Sequence, residues 1–207
     1  MDLQNIELEL KKRLNSPYRW ERKESDEWDR ATQIIYKITD FETLLSELDE
    51  LELEEKIKNY GINKWFNFWT AKAVEKVFTE NQNIMPNTNQ YGKLLNFEIN
   101  GVKFDHKVFV FPKHFNQSFE YAKQNKPELI QWFFDNQNQD GRKHLKNRLF
   151  IVLFDSVDRR HWKLKAEVSL LNETVTQYLE NFDSDSLVTL NIDGNQILSD
   201  VIWVEKN

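Results

Sequence analysis

Residues 94–110 have the sequence Leu-Leu-Asn-Phe-Glu-Ile-Asn-Gly-Val-Lys-Phe-Asp-His-Lys-Val-Phe-Val, with Asn100-Gly101 between two β-prone runs. An Asn-Gly pair is the strongest short signal for a β-hairpin, because both central residues of a type I′ turn need positive φ. A two-residue turn at this point fixes the pairing of the strands and sets Asn96 opposite Asp105. The segment therefore predicts a hairpin with a defined register.

The two faces of the predicted hairpin differ in chemistry. Because side chains alternate along a strand, one face is predicted to carry Asn96, Glu98, Lys103, Asp105 and Lys107. The opposite face carries Phe97, Phe104, His106 and Val108. Carboxylates beside lysines in mid-strand occur in metal-dependent sites and also on ordinary solvated strand faces. The sequence leaves both interpretations open.

The Asp105-His106-Lys107 sequence resembles the second half of the motif of the PD-(D/E)xK nuclease superfamily, which has the restriction-endonuclease-like fold. The resemblance extends over roughly residues 64–155. In that superfamily, acids on two neighbouring strands hold Mg²⁺, and a lysine two residues beyond the second acid assists the attacking water. The resemblance therefore implies catalytic roles for Asp105 and Lys107, and for Glu75 on a predicted upstream helix.

The chain departs from the superfamily at Asn96, which occupies the position of the first acid. A neutral amide oxygen attracts Mg²⁺ far less than a carboxylate does. Glu98, one pleat along on the same face, can reach inward and replace it. The metal ligands implied for Mg²⁺ or Mn²⁺ are thus Asp105, Glu98 and Asn96.

Two functions remain open after this departure. The first is a metal-dependent nuclease that cleaves DNA phosphodiester bonds in a restriction or defence system, and the resemblance then implies a homodimer, since duplex cleavage needs two sites. The second is a catalytically inactive nuclease-fold module that binds nucleic acid or a protein partner. In a third interpretation, the chain is an unrelated α/β domain in which the Asp-x-Lys pattern is incidental.

Basic residues lie on both sides of the apolar run 148–155. If both groups flank one end of the sheet, they can follow a nucleic-acid backbone. The predicted nucleic-acid-binding residues are Lys113, His114, Lys143, Lys146, Arg148, Arg159 and Arg160. The alternative is a charged surface that keeps a chain with seven Trp residues in solution.

The order of elements predicts an α/β (α+β) fold, and the superfamily resemblance implies that it is of the restriction-endonuclease-like type, with a mixed central sheet flanked by helices. The nearly continuous apolar run 148–155 is typical of a central strand that is buried on both faces. Residues 1–60 have helical spacing of apolar residues, and Gly61 is predicted to end a helix. We therefore predict a helical N-terminal extension over residues 1–60 and the core over residues 61–207.

Composition narrows the range of functions. The chain has no Cys, which excludes thiolate metal sites and disulfides, and its four His residues lack metal-site spacing. No glycine-rich phosphate loop or serine nucleophile elbow is present, which disfavours kinases and serine hydrolases. A signal peptide and a long apolar segment are also absent from the sequence, so a cytoplasmic protein without a membrane partner is expected. The net charge of −6 argues against a general nucleic-acid coat but permits a local basic surface.

Overall fold

The computed structural model describes residues 2–17, 26–81, 84–86, 97–136 and 145–207. The described helices are α1 (Leu3–Arg13), α2 (Asp26–Ala31), α3 (Phe41–Glu50), α4 (Glu55–Glu80), α5 (Phe119–Gln124), α6 (Lys126–Asn136) and α7 (Val168–Glu180). The described strands are β1 (Ile84–Pro86), β2 (Phe97–Ile99), β3 (Val102–Val110), β4 (Arg148–Asp155), β5 (Val188–Ile192) and β6 (Asn195–Lys206). Short 3-10 helices cover Gln33–Tyr36, Lys113–Phe115, His161–Ala166 and Ser184–Ser186.

The chain divides into two compact units. The first comprises Met1–Val74 and Lys163–Leu171, and the second comprises Glu75–Trp162 and Asn172–Asn207. Residue 60, where the sequence suggested a boundary, lies within α4 and within the first unit.

In the first unit, buried carboxylates of α1 cap the N-termini of two other helices. Glu7 accepts two hydrogen bonds from Ser169 in the first turn of α7. One comes from the backbone N–H, at 2.9 Å, and the other from the side-chain hydroxyl. Glu9 accepts one from the backbone N–H of Phe41, at 2.8 Å, where α3 begins. The first turn of a helix leaves N–H groups without partners inside the helix and carries a partial positive charge. These two contacts therefore satisfy buried donors and fix α3 and the start of α7 against α1.

Gly61 lies inside the continuous helix α4, so the prediction that it ends a helix is wrong. A Cβ added at Gly61 would meet the Cγ2 atom of Thr32 at 3.0 Å and the Cδ2 atom of Leu48 at 3.6 Å. The glycine allows α4 to approach these two side chains closely. Tertiary packing therefore outweighs the weak helix propensity of glycine at this position.

The second unit contains a six-stranded mixed sheet with the order β1-β2-β3-β4-β6-β5. Strands β3, β4 and β6 are mutually parallel, whereas β1, β2 and β5 pair antiparallel with their neighbours. The central strand β4 is buried along nearly its whole length, as the sequence predicted. The mixed α/β class and the mixed central sheet are thus confirmed.

The predicted hairpin at Asn100-Gly101 forms, and so does a second one at Asp193-Gly194, since Asp-Gly favours the same type of turn. Asn100 and Gly101 have positive φ angles of 49° and 83°, and Glu98 pairs with Lys103 in the predicted register. Asp193 and Gly194 have φ angles of 50° and 78° and connect β5 to β6. Strand β1 was not anticipated, because a three-residue strand ending in Pro86 resembles a loop in sequence.

Helices cover both faces of the sheet within the second unit. On one face, Phe109 of β3 and Phe150 of β4 stack on Phe133 of α6, at 4.9 and 4.8 Å between ring centroids. On the other face, Phe78 at the end of α4 stacks on Phe97, at 4.2 Å. No helix in the described part of the chain has the length and apolarity needed to cross a bilayer.

The first unit also contains a lysine in an unfavourable environment for charge. The amine of Lys165 donates a 2.6 Å hydrogen bond to the neutral side-chain oxygen of Asn67, and burial lowers the pKa of Lys165 from 10.5 to about 8. The unfolded chain therefore binds more protons at this group between about pH 8 and pH 10.5, and its contribution to stability improves as the pH rises through that window.

We predict that Lys165→Met raises the free energy of unfolding at pH 7, because it removes the cost of burying a charged amine. The gain should shrink as the pH approaches 10, where wild-type Lys165 is neutral in the folded state. Urea unfolding of both proteins at pH 7 and pH 9.5 measures this difference. The control is Lys56→Met, at an exposed lysine of the same unit. A gain for Lys165→Met that does not change with pH would contradict the explanation.

Candidate functional site

Asp105 lies in a buried ion pair. The parallel register of β3 and β4 sets Asp105 beside Arg148, whose Nη2 donates a 3.0 Å hydrogen bond to Oδ2 of Asp105. Asp105 is 4% exposed and Arg148 is 1% exposed. Burial lowers the pKa of Arg148, and the charge and hydrogen bond of Asp105 oppose that effect. The carboxylate is therefore neutralised by a cation of the protein itself.

Aromatic rings form the surroundings of this ion pair. The guanidinium carbon of Arg148 lies 5.7 Å from the ring centre of Phe134 in α6 and 5.9 Å from that of Phe150 in β4. Arg148 also pairs in register with Ser199 of β6, whose buried hydroxyl oxygen has no hydrogen-bond partner among the described residues. The guanidinium is thus held by a carboxylate and by the faces of two rings.

Asn147 joins three strands directly before Arg148. Its side-chain oxygen accepts a 2.8 Å hydrogen bond from the backbone N–H of Leu198, and its side-chain nitrogen donates a 3.1 Å bond to the carbonyl of Lys103. Its own carbonyl accepts a 3.0 Å bond from the backbone N–H of Asp105. The sequence does not identify Asn147, because nothing in a single Asn before a strand signals three non-local contacts.

Lys107 and Glu98 share the sheet face of Asp105, as predicted. Both are half-buried, and neither forms a hydrogen bond or ion pair with another described residue. Glu98 and Lys103 face each other in register without forming an ion pair. Beyond Lys107 this face becomes apolar, with Phe109 packed against the core under α6. The predicted ligand Asn96 lies outside the described residues.

Glu75 belongs to α4, whose last turns cover the opposite face of the sheet. Phe78, three residues further along α4, contacts the rings of Phe97 and His106, which point away from Asp105. His106 is half-buried between these rings and not on the polar face, as predicted. The structure does not bring Glu75 together with Asp105.

The described residues of this region do not fit a Mg²⁺ site. Mg²⁺ binds with near-octahedral oxygen coordination and requires at least one or two anionic ligands. In the described ranges, no three His, Asp or Glu side chains come close enough to hold a metal ion. The carboxylate of Asp105 instead faces a guanidinium, whose positive charge repels a second cation.

The basic residues fall at opposite ends of the parallel strands. Lys146 and Arg148 lie where β4 begins, and Arg148 is buried there, where it cannot contact a nucleic acid. Lys113, His114, Arg159 and Arg160 are exposed and follow the carboxyl ends of β3 and β4. We call these four residues the carboxyl edge. Lys143 lies outside the described residues.

A buried aspartate shapes the turn that presents Arg159 and Arg160. Asp155 is 3% exposed, and its Oδ1 accepts hydrogen bonds from the backbone N–H groups of Val157 and Asp158, at 3.0 and 2.8 Å. Arg159 then adopts a positive φ of 53°. An aspartate that bonds to N–H groups two and three residues later is a known turn signal, so the sequence Asp-Ser-Val-Asp after β4 could have identified this turn.

His161 supports the same turn by contacts with the end of β4. Its Nδ1 accepts a 2.9 Å hydrogen bond from the backbone N–H of Asp155, and its ring stacks on Phe154 at 4.9 Å. Burial lowers the pKa of His161; Asp155 opposes this shift, and the positive charge of Lys113 adds to it. The imidazole is therefore neutral at pH 7, with its proton on Nε2.

Comparison with known proteins adds no relative: no protein-family model, no curated protein and no solved structure matches this chain.

We predict that Arg148→Met lowers the free energy of unfolding by about 3–5 kcal/mol, because it leaves the carboxylate of Asp105 buried without a partner. The double variant Asp105→Asn/Arg148→Met should recover most of this loss, since no charge then remains buried. Urea unfolding monitored by circular dichroism measures both changes.

Arg160→Met is the matched control, because Arg160 forms an exposed ion pair with Asp158. Its loss should cost less than about 1 kcal/mol. Equal losses for Arg148→Met and Arg160→Met would contradict a structural role for the buried pair.

Proposed function

We propose that the chain is a catalytically inactive nuclease-fold module that binds nucleic acid through the carboxyl edge. The observation that carries this proposal is the buried ion pair between Asp105 and Arg148. It favours the non-catalytic alternative over a metal-dependent nuclease, because the carboxylate needed for the metal neutralises an arginine.

The order of elements supports a restriction-endonuclease-like fold. The superfamily resemblance implies a helix, a hairpin carrying Asp-x-Lys, a further helix and a buried strand in this order. The chain has α4, the β2–β3 hairpin, α5 with α6, and then β4 parallel to β3. This agreement supports the fold, but the chemistry depends on the side chains alone.

The ion pair argues against metal binding by Asp105. A metal ion would have to displace Arg148, and the freed guanidinium would then stay buried beside a second positive charge. Isolated charges in a protein interior cost several kcal/mol each. In the proposed module, Asp105 and Arg148 therefore stabilise the sheet and take no part in hydrolysis.

The carboxyl edge has the properties of a phosphate-binding surface. Its residues lie beyond the carboxyl ends of two neighbouring parallel strands, where ligands of open α/β sheets commonly bind. Lys113 and His114 form no ion pair with a described residue, and Arg159 also lacks one. Arg160 uses its Nε for Asp158, at 2.7 Å, which leaves its terminal nitrogens to bind a phosphate.

We predict that the triple variant Lys113→Ala/Arg159→Ala/Arg160→Ala weakens binding to a fluorescein-labelled 20-mer DNA at least tenfold. Each phosphate contact contributes through counterion release, so the slope of log K against log salt should become less steep by about 2–3. Fluorescence anisotropy titrations between 50 and 200 mM salt measure both quantities for single-stranded and duplex DNA.

Lys103 and Lys146 lie where β3 and β4 begin, at the ends of these strands opposite to the carboxyl edge. The control for this experiment is Lys76→Ala/Lys103→Ala/Lys146→Ala, which removes the same charge as the triple variant from other positions of the second unit. It should leave the salt slope nearly unchanged. An equal effect of both triple variants, or no DNA binding by the wild type, would contradict the proposal.

We further predict that the wild-type protein leaves supercoiled plasmid intact at a Mg²⁺ or Mn²⁺ concentration of about 10 mM, which suits a metal-dependent nuclease. Agarose gels of plasmid incubated with wild type, Asp105→Asn and Lys107→Ala check this. Metal-dependent cleavage by the wild type that both variants abolish would establish the nuclease instead. Cleavage by Asn96→Asp alone would mean that the missing acid at position 96, and not the ion pair, prevents catalysis.

A further inference from the structure

The second unit has a groove on the outer side of α6, next to the carboxyl edge. The groove has a volume of about 480 Å³ and is lined by Phe115, Gln117, Pro127, Glu128, Gln131, Trp132 and Asp135. Five of these residues belong to α6. They lie on one side of the helix, because they are adjacent or three to four residues apart in sequence. Trp132 is half-buried and meets Phe115 edge to face, with 6.3 Å between ring centroids.

The rim of the groove is negatively charged. Glu128 and Asp135 are exposed, and neither forms an ion pair with a described lysine, arginine or histidine. Glu128 accepts hydrogen bonds of 3.1 and 3.0 Å from the hydroxyl of Tyr121, and Asp135 accepts one of 2.9 Å from Gln131. Neutral donors thus orient both carboxylates without neutralising them.

The groove combines the aromatic rings of Phe115 and Trp132 with two carboxylates. This combination is complementary to a cation with an apolar stem. Arginine and lysine side chains lay their methylene groups or guanidinium planes on tryptophan rings, and their charged ends pair with carboxylates. An anionic ligand such as a nucleic acid would be repelled from this groove.

We propose that the α6 groove binds a basic peptide segment of a partner protein. This inference goes beyond the proposed nucleic-acid binding and does not depend on it. Glu128 and Asp135 lie seven residues apart on α6, which separates them by about 10 Å along the helix axis. In a peptide with the polyproline II conformation, residues three apart lie on the same side and are separated by about 9 Å, which is close to this distance. The segment that fits best therefore has two basic residues with two small residues between them.

Fluorescein-labelled peptides test the proposal directly. The probe is Gly-Ser-Arg-Ser-Gly-Arg-Ser-Gly, and its comparison peptide has the two arginines adjacent, with the same composition. We expect the wild-type protein to bind the spaced peptide more tightly than the adjacent one in anisotropy titrations. The variant Glu128→Gln/Asp135→Asn should weaken binding of the spaced peptide by about fivefold, since each exposed ion pair contributes a small factor.

Two further variants separate the groove from general charge. Glu120→Gln/Asp185→Asn removes the same charge from exposed positions outside the groove and should leave binding unchanged. Trp132→Leu keeps an apolar side chain and removes the indole ring, so it should weaken binding by a factor of about three or more. Far-ultraviolet circular dichroism and urea unfolding confirm that each variant folds.

The proposal is overturned if the spaced peptide does not bind, or if both charge variants weaken binding equally. It is also overturned if a labelled single-stranded DNA competes for the groove and loses affinity in Trp132→Leu, because the ligand would then be a nucleic acid.

Discussion

The ion pair between Asp105 and Arg148 sets the alignment of the three parallel strands. It occupies the first rung of the β3–β4 ladder, and Arg148 also forms the first rung with Ser199 in the β4–β6 ladder. A shift of β4 by one residue would turn Arg148 to the opposite face and leave both charges buried without a partner. Apolar residues further along β4 pack acceptably in several alignments. The ion pair forms in only one alignment of these strands.

This role explains why a motif that resembles a catalytic site can have a structural function. Asp105 lies on β3 with Lys107 two residues later, but its carboxylate pairs with Arg148, a cation on the neighbouring strand. The rings of Phe134 and Phe150 lie beside that cation, which is almost fully buried. An Asp-x-Lys pattern specifies two side chains on one face, whereas chemistry depends on what the adjacent strand contributes.

Local signals predicted much of the fold. The Asn-Gly turn predicted the first hairpin with its register, the Asp-Gly turn predicted the second hairpin, and the apolar run 148–155 predicted the central strand, because each signal depends on neighbouring residues alone. The site was less predictable. Arg148 was assigned to the surface because charge is normally solvated, and only the register of two distant strands shows that Asp105 compensates it. The prediction that Gly61 ends a helix is wrong for the same reason, since close packing against Thr32, which lies outside α4, determines the role of this glycine.

The net charge of −6 conceals two surfaces of opposite sign within one unit. The short 3-10 helix Lys113–Phe115 belongs to both, because Lys113 and His114 form part of the carboxyl edge and Phe115 lines the α6 groove. A basic peptide in the groove would add positive charge within a few residues of the edge. In the proposed module, that charge attracts a nucleic-acid backbone, so the two ligands should strengthen each other's binding. Thermodynamic linkage makes the effect reciprocal, and salt should weaken it because it acts between exposed charges.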